Sequence, residues 1–428
     1  MKIAILGFGV EGRCAFEYFS RRHPEAEIEV FDQARVESNV VKITTIRDFV
    51  GMDFSDFDLV IRSPSIRPDR IKARNLSSMT AQFFQKCPAK IIGVTGTKGK
   101  GTTCSLIKSI LERAGKKVWL VGNIGVPALE VLDEIADNDI VVYELSSFQL
   151  WDLKKSPQVA VVVHIELDHQ DVHKSFDEYL AAKSNIALWQ DRNGKIVFDS
   201  SNDHAVAIAA QSVARKAPYP NRDLAHVENG AFYYGLKELC PTSVLNILGA
   251  HNVMNALAAI SAVADWTLDE VAIRDGLHDF TGLPHRLKFV DEVDGVGYYD
   301  DSISTTAGST IAAIKSFDRP EILILGGSPK GADFGELAQT VKDYRVKWVV
   351  LIGEEAVRLE QALNAVHYRK ITNLGTAKTM REIVLETKKR AERGDVVLLS
   401  PACASFGMFK NYADRGDQFI QAVQGLSS

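Results

Sequence analysis

Cysteine is scarce. Five residues (Cys14, Cys87, Cys104, Cys240 and Cys403) are scattered over 428 positions, an odd number with no pair at metal-ligand spacing. A disulfide framework and a thiolate metal centre are therefore not expected, and a reducing, cytoplasmic compartment is. No uninterrupted apolar run approaches the roughly 20 residues that cross a bilayer. The opening Met1-Lys2-Ile3-Ala4-Ile5-Leu6-Gly7 has no charged leader before an apolar stretch, so no signal peptide is expected either. Positive charge is not in excess: 50 Lys and Arg against 55 Asp and Glu leave a net charge of −5, which argues against a nucleic-acid-binding surface. There is no short repeat and no low-complexity linker. The charge-rich stretch 388–393, at the end of an expected helix over 376–393, reads as a solvated face.

What is present is the balance of a globular protein, 46% hydrophobic and 25% charged, in a chain long enough for two to four domains. Short apolar runs alternate with amphipathic stretches, the pattern of an α/β protein with mainly parallel sheets. Three segments separate. Strands are expected at 2–6, 28–31 and 59–61 in the first, and at 91–95, 140–144 and 159–165 in the second. The third has 297–300, 321–327, 348–353 and 395–400. Pro and Gly interrupt the periodicity near 87–90 and 282–286, which sets expected domains at 1–88, 89–284 and 285–428.

Two loops have nucleotide-binding character. Gly7-Phe8-Gly9-Val10-Glu11-Gly12 follows a strand and opens a helix, so a diphosphate could sit on amides at the positive helix N-terminus. Asp32, at the end of the next strand, is placed to bond a ribose hydroxyl. Alone, this pair suggests NAD, or glycines that only allow tight strand-to-helix packing. The second loop, Gly96-Thr97-Lys98-Gly99-Lys100-Gly101-Thr102-Thr103, lies between a strand and an expected helix at 104–114. Its amides can cradle ATP phosphates while the Lys100 ammonium neutralises the β- and γ-phosphates. Gly101 stands where a hydroxyl usually reaches Mg²⁺, leaving that role to Thr102, Thr103 or another ligand.

Polar residues then gather at strand ends, where ligands collect in parallel sheets. Glu144-Leu145-Ser146-Ser147-Phe148-Gln149 ends one strand, and Glu144 there suits Mg²⁺ as a hard oxygen ligand. Glu166-Leu167-Asp168-His169 ends another; Glu166 reads as an ordinary loop residue, and Asp168 and His169 as part of a metal-phosphate cluster with Glu144 and Lys100.

In this order the motifs resemble the Mur ligase family, most of all its MurD type, over essentially the whole chain. The resemblance rests on the ATP loop, Gly122-Asn123-Ile124-Gly125, residues 144–149, Asp168-His169 and Tyr179-Leu180-Ala181-Ala182-Lys183. It continues through Gly249-Ala250-His251-Asn252-Val253-Met254-Asn255, Leu283-Pro284-His285-Arg286, Asp301-Ser302, residues 326–334 and residues 400–406. It implies a Rossmann-like first domain for a UDP-substrate, a central P-loop ATPase-like domain and a Rossmann-like third domain that closes and receives an amino acid. Gly7, Gly9, Val10, Glu11, Gly12, Asp32, Ser63 and Pro64 would then hold uridine diphosphate rather than NAD, and Asn123, Ser146 and Gln149 would line the muramoyl-alanine tail. Glu144, His169 and a carbamoylated Lys183 would serve Mg²⁺; Asn252 and Asn255 would meet adenine, and Arg286 and Asp301 phosphate and ribose. Thr305, Lys330, Ser405 and Tyr412 would bind glutamate. The reaction implied is ATP-dependent addition of glutamate to UDP-N-acetylmuramoyl-L-alanine, by a monomer acting on small molecules with no nucleic-acid or membrane partner.

The chain departs from the family pattern at three places. Ile303 fills the position of a lysine near the amino-acid site, which opens an L-glutamate-adding variant beside the D-glutamate one. Lys100-Gly101-Thr102 is similar to the folylpolyglutamate synthase form, a ligase of the same mechanism that lacks a UDP-type first domain. His164 stands where asparagine is common. Two other classes compete: an NAD-dependent dehydrogenase, which leaves Lys100, Glu144 and Lys183 unexplained, and a nucleotide-binding regulatory protein without turnover.

Overall fold

A computed structural model describes residues 1–33, 41–168, 172–247, 249–329, 331–376 and 378–426. Among them are three sheets of parallel type and one small antiparallel sheet. The first sheet comprises β1 (Lys2–Leu6), β2 (Glu27–Asp32), β3 (Ile43–Thr45), β4 (Leu59–Arg62) and β5 (Leu76–Ser78), all parallel, in the order β3-β2-β1-β4-β5. The second comprises β6 (Lys90–Thr95), β7 (Val118–Gly122), β8 (Ile140–Glu144), β9 (Val159–Val162), β10 (Lys195–Asp199) and β11 (Arg215–Tyr219). Its order is β11-β10-β9-β6-β8-β7, which puts β6 between β8 and β9. These strands are continuous Val- and Ile-rich runs because helices cover both faces of a parallel sheet.

A small meander, β12 (Ala225–Glu228), β13 (Ala231–Tyr234) and β14 (Lys237–Pro241), follows. The last sheet holds β15 (Lys288–Val293), β16 (Val296–Asp300), β17 (Glu321–Gly326), β18 (Val346–Ile352), β19 (Ile371–Gly375) and β20 (Val396–Leu399), ordered β15-β16-β20-β17-β18-β19 with only β15 antiparallel.

The described chain groups into two compact units. The first two sheets share one unit (Met1–Asn246 with Ala250–Phe280), and the second unit is Thr281–Ser428 with residues 247–249. The physical reason is a common core: Phe83 and Phe84 beside the first sheet lie 5.5 Å from the ring of Tyr143 in β8, whose hydroxyl donates to Thr80. Two elements are shorter than expected. The strand at 159 stops at Val162, and the helix expected over 376–393 is Met380–Lys388, opened by a capping box between Thr379 and Glu382. The ATP-loop helix is longer at its start, running Lys100–Arg113.

The second unit contains a buried carboxylate with no balancing partner among the described residues. Glu321 opens β17 at 1% exposure, and neither carboxylate oxygen has a partner among the described residues. Burial pushes its carboxyl up from 4.5 to about 8. A folded-state pKa above the unfolded value means the cost is absent below about pH 4.5, grows as pH rises, and is complete above about pH 8. Glu321→Gln removes that titration. The variant is expected to gain on the order of a few kcal/mol over wild type between pH 5 and pH 8, read as a difference in thermal midpoint that widens with pH. A constant difference across that range would refute the assignment.

Candidate active site

Both nucleotide-type loops sit in the first unit, at the carboxyl ends of parallel strands. In the first sheet β1 lies between β2 and β4, so the chain leaves β1 in one direction and β4 in the other, and a crevice opens between them. A cavity of about 400 Å³ occupies that position. Gly7, Gly9, Val10, Glu11, Asp32, Ser63, Pro64, Asn123, Ser146 and Gln149, all expected to contact a UDP-substrate, line it. Gly12 does not; a Cβ there would lie 1.9 Å from the Gly7 carbonyl oxygen, so its role is to let the helix Val10–Arg22 approach the loop. Asp32 accepts the Phe8 N–H at 2.5 Å, and the Ser63 hydroxyl donates to the Gly7 carbonyl at 3.2 Å. Gln149 closes a capping box on Ser146 and donates to Glu11 at 2.9 Å, joining the two walls. Desolvation raises the Glu11 pKa despite that bond. Gln33, Phe49, Ser65, Ile66 and Phe148 also line the cavity. Nothing in the sequence singled them out, since Gln33, Phe49, Ser65 and Ile66 lie outside the matched motifs and Phe148 is an apolar residue within one.

The second loop follows β6. Gly99 caps the helix with φ +89°, and a Cβ there would meet the Asn255 Oδ1 at 2.3 Å. Only glycine fits both the left-handed backbone and that contact. Asn255 donates to Asn252 at 2.9 Å and takes a long bond from the Thr103 hydroxyl at 3.5 Å, so the two asparagines stand against the loop although some 150 residues separate them. The other flank is held by the end of β9: Thr97 donates its N–H to the His164 carbonyl at 2.8 Å, and its hydroxyl exchanges bonds with Glu166 at 3.0 Å. The Glu166 carboxylate also pairs with Lys98 at 2.5 Å. Glu166 therefore anchors the loop, a role its sequence position did not disclose.

Between these flanks Lys183 feels the charges of Lys100, Asp168 and Glu144. Lys183, 1% exposed, donates to the Gly96 carbonyl at 2.7 Å and more weakly to Thr95 Oγ1 at 3.4 Å. Burial first, then the Lys100 ammonium, push its pKa well below the lysine value, while Asp168 and Glu144 oppose the shift. The Lys100 ammonium donates to the Thr97 carbonyl at 3.0 Å. Glu144 is 3% exposed; one oxygen accepts from Asn123 at 2.9 Å, and the other, Oε2, has no partner among the described residues. An orphaned buried carboxylate oxygen beside a phosphate-type loop fits a hard divalent cation. His169, expected in this cluster, lies outside the described residues.

In the second unit Arg286 is exposed, between His285 (φ +59°) and Leu287 (φ +44°), both in a left-handed conformation that costs of order 1–3 kcal/mol for such residues. Two aspartates hold them there. Asp300 pairs with the His285 Nδ1 at 2.7 Å, and Asp301 accepts the Leu287 N–H at 3.1 Å and the Ser400 hydroxyl at 2.7 Å. Desolvation lifts Asp301 to about 6. The Ser302 hydroxyl donates to the Tyr412 carbonyl at 2.8 Å. Ser405 is buried, Thr305 half-buried, and Lys330 lies outside the described residues.

Comparison with known proteins bears on this arrangement. Residues 94–263 match the Mur ligase middle domain, and residues 285–403 match the Mur ligase glutamate ligase domain. A UDP-N-acetylmuramoylalanine–D-glutamate ligase of Clostridium tetani is 36% identical, over 99% of this chain and 97% of the relative. The chain belongs to the Mur ligase family. A relative of the same description from Acetivibrio thermocellus is 37% identical over 100% of this chain and 97% of its own length. The Mur ligase fold is also seen in the UDP-N-acetylmuramate–alanine ligase of Thermotoga maritima, with a TM-score of 0.62 at 16% identity, covering 99% of each chain. An E. coli FolC structure aligns at a TM-score of 0.58 and 18% identity, over 82% of this chain and 92% of that one. Mur ligases are ATP-dependent amide-bond-forming enzymes. No described helix is long and apolar enough to cross a membrane.

Proposed function

We propose that this chain phosphorylates the carboxylate of UDP-N-acetylmuramoyl-L-alanine with ATP and couples the acyl phosphate to glutamate, in peptidoglycan precursor synthesis. The observation that carries the reading is the convergence of Lys100, Glu144, Asp168 and Lys183 beside the Gly96–Thr103 loop, with Glu144 bonded to Asn123 in the wall of a nucleotide-type cavity. A carboxylate is a poor electrophile because its leaving group would be oxide; phosphorylation supplies a good one, which the amine then displaces as inorganic phosphate. The transfer demands positioning and charge neutralisation more than covalent help from protein. Loop amides and Lys100 would hold the polyphosphate, Asn252 and Asn255 the adenine, and Arg286 and Asp301 phosphate and ribose. Glu144, Lys183 as its carbamate, His169 and a threonine would hold Mg²⁺. Engagement of Thr103 with Asn255 favours Thr102 as that threonine. When bound, the cation neutralises charge on the phosphates.

The working domains in this reading are 1–88 for the UDP-substrate, 89–284 for ATP and 285–428 for the amino acid, in a monomeric cytoplasmic enzyme. Gly7–Gly12 serve a UDP moiety. The D-glutamate names of the relatives favour that enantiomer. Ile303 offers no charge to a substrate carboxylate, so Thr305, Lys330, Ser405 and Tyr412 carry recognition. Phosphate release from ATP is expected with Mg²⁺, UDP-N-acetylmuramoyl-L-alanine and D-glutamate, and not with L-glutamate or without an amino acid. Release dependent on L-glutamate would reverse the stereochemical assignment. No release with either, from protein that binds ATP, would sink the acceptor assignment and bring a folate acceptor forward.

A further inference from the structure

The cavity in the first unit has one wall from each of two sheets: the Gly7 loop with residues 63–66 on one side, and Ser146–Gln149 after β8 on the other. Behind it, not lining it, lies Arg62, the last residue of β4, with its side chain fully buried. Its Nη1 donates to the carbonyls of Ser63, Pro64 and Ile66 at 3.4, 3.3 and 3.3 Å. Its Nη2 donates to the Phe148 carbonyl at 3.1 Å, and its Nε to Asp152 at 2.9 Å, with a second Nη2 bond to the same carboxylate. A planar fork of five N–H donors is suited to bind a carboxylate and several carbonyls at once; a lysine is not.

We infer that Arg62 is a positioning residue for the nucleotide-sugar, tying the Ser63–Ile66 segment of one wall to the Phe148 segment of the other so that the cavity is set before ligand arrives. This rests on the proposed UDP-type use of that cavity. A loop held this way loses less freedom on binding, so its loss falls on ligand affinity. The seam between the sheets does not depend on Arg62. Arg67 crosses it independently, donating to the Val172 carbonyl at 2.8 Å and to Glu178 at 2.6 Å, and lying 4.7 Å over the Trp151 ring. The shared Phe83, Phe84 and Tyr143 core persists as well.

The test uses the full chain as Arg62→Met, and as Arg62→Met combined with Asp152→Leu, which also removes the carboxylate left without its partner. Calorimetry measures UDP-N-acetylmuramoyl-L-alanine and, separately, ATP; steady-state kinetics and thermal midpoints accompany it. Both variants are expected to bind the nucleotide-sugar about tenfold or more weakly, with KM raised and kcat largely kept, while ATP affinity holds within about twofold. The double variant is expected to recover the thermal midpoint lost in the single one but not the affinity. Recovery of both together would show a merely structural residue and overturn the inference, as would unchanged affinity in either variant. Absence of nucleotide-sugar binding by the wild type would bring down the functional reading and the inference with it.

Discussion

Lys100→Ala is expected to lower phosphate release roughly a thousandfold or more, a loss of several kcal/mol of transition-state stabilisation. Lys100 is the first residue of the helix that follows the loop, so its ammonium adds to the positive end of the helix dipole. It is held over the loop by the Thr97 carbonyl and is only half-buried, so its truncation leaves no large void. The loop amides remain, and they can still hold a polyphosphate. Binding of ATP is therefore expected to weaken less than turnover falls, because charge develops on the transferred group during the reaction. Steady-state turnover with an ATP-binding titration on the same protein separates the two. Near-normal turnover in a folded variant would remove Lys100 from the mechanism.

Lys183→Ala is expected to be inactive and to regain part of its activity with added short carboxylic acids. The side chain is buried against the Gly96 carbonyl and Thr95, an unusual place for an ammonium and a good one for an amine that takes up carbon dioxide. A carbamate there would add carboxylate-like oxygens within electrostatic reach of Glu144, and a small acid could fill the void left by alanine in the same way. The measurement is turnover against concentration of formate, acetate and propionate, with the thermal midpoint as the control for folding. If no acid restores activity to folded protein, the carbamate role fails and Lys183 becomes a structural support of the loop.

The sequence was most legible where function depends on a few consecutive residues. Both glycine loops follow strands in the structure, and the long Val- and Ile-rich strands were read nearly to their ends, since period and turn chemistry are local. Elements were misjudged where a local cap decided the boundary, as at Thr379 and at Gly99, whose left-handed backbone lets the helix begin at Lys100. Glu166 was passed over because its work is done through a threonine nearly 70 residues earlier, and Arg62 because a buried arginine at the end of an apolar strand looks like an edge of that strand. His285 and Asp300 gave no sign in the sequence of a strained turn gripped around Arg286.

By itself, then, the chain's order of residues determined the class of fold, the two phosphate-type loops and the family, because strand period, glycine spacing and motif order are one-dimensional. The sheet order decided the rest. Placing β6 between β8 and β9 is what brings Glu144, Asp168 and Lys183 to one loop, and the shared core of the first two sheets is what lets Arg62 reach both walls of one cavity. Those contacts join residues up to 90 positions apart, and their strength depends on burial and on which donors find acceptors, neither of which a local pattern encodes.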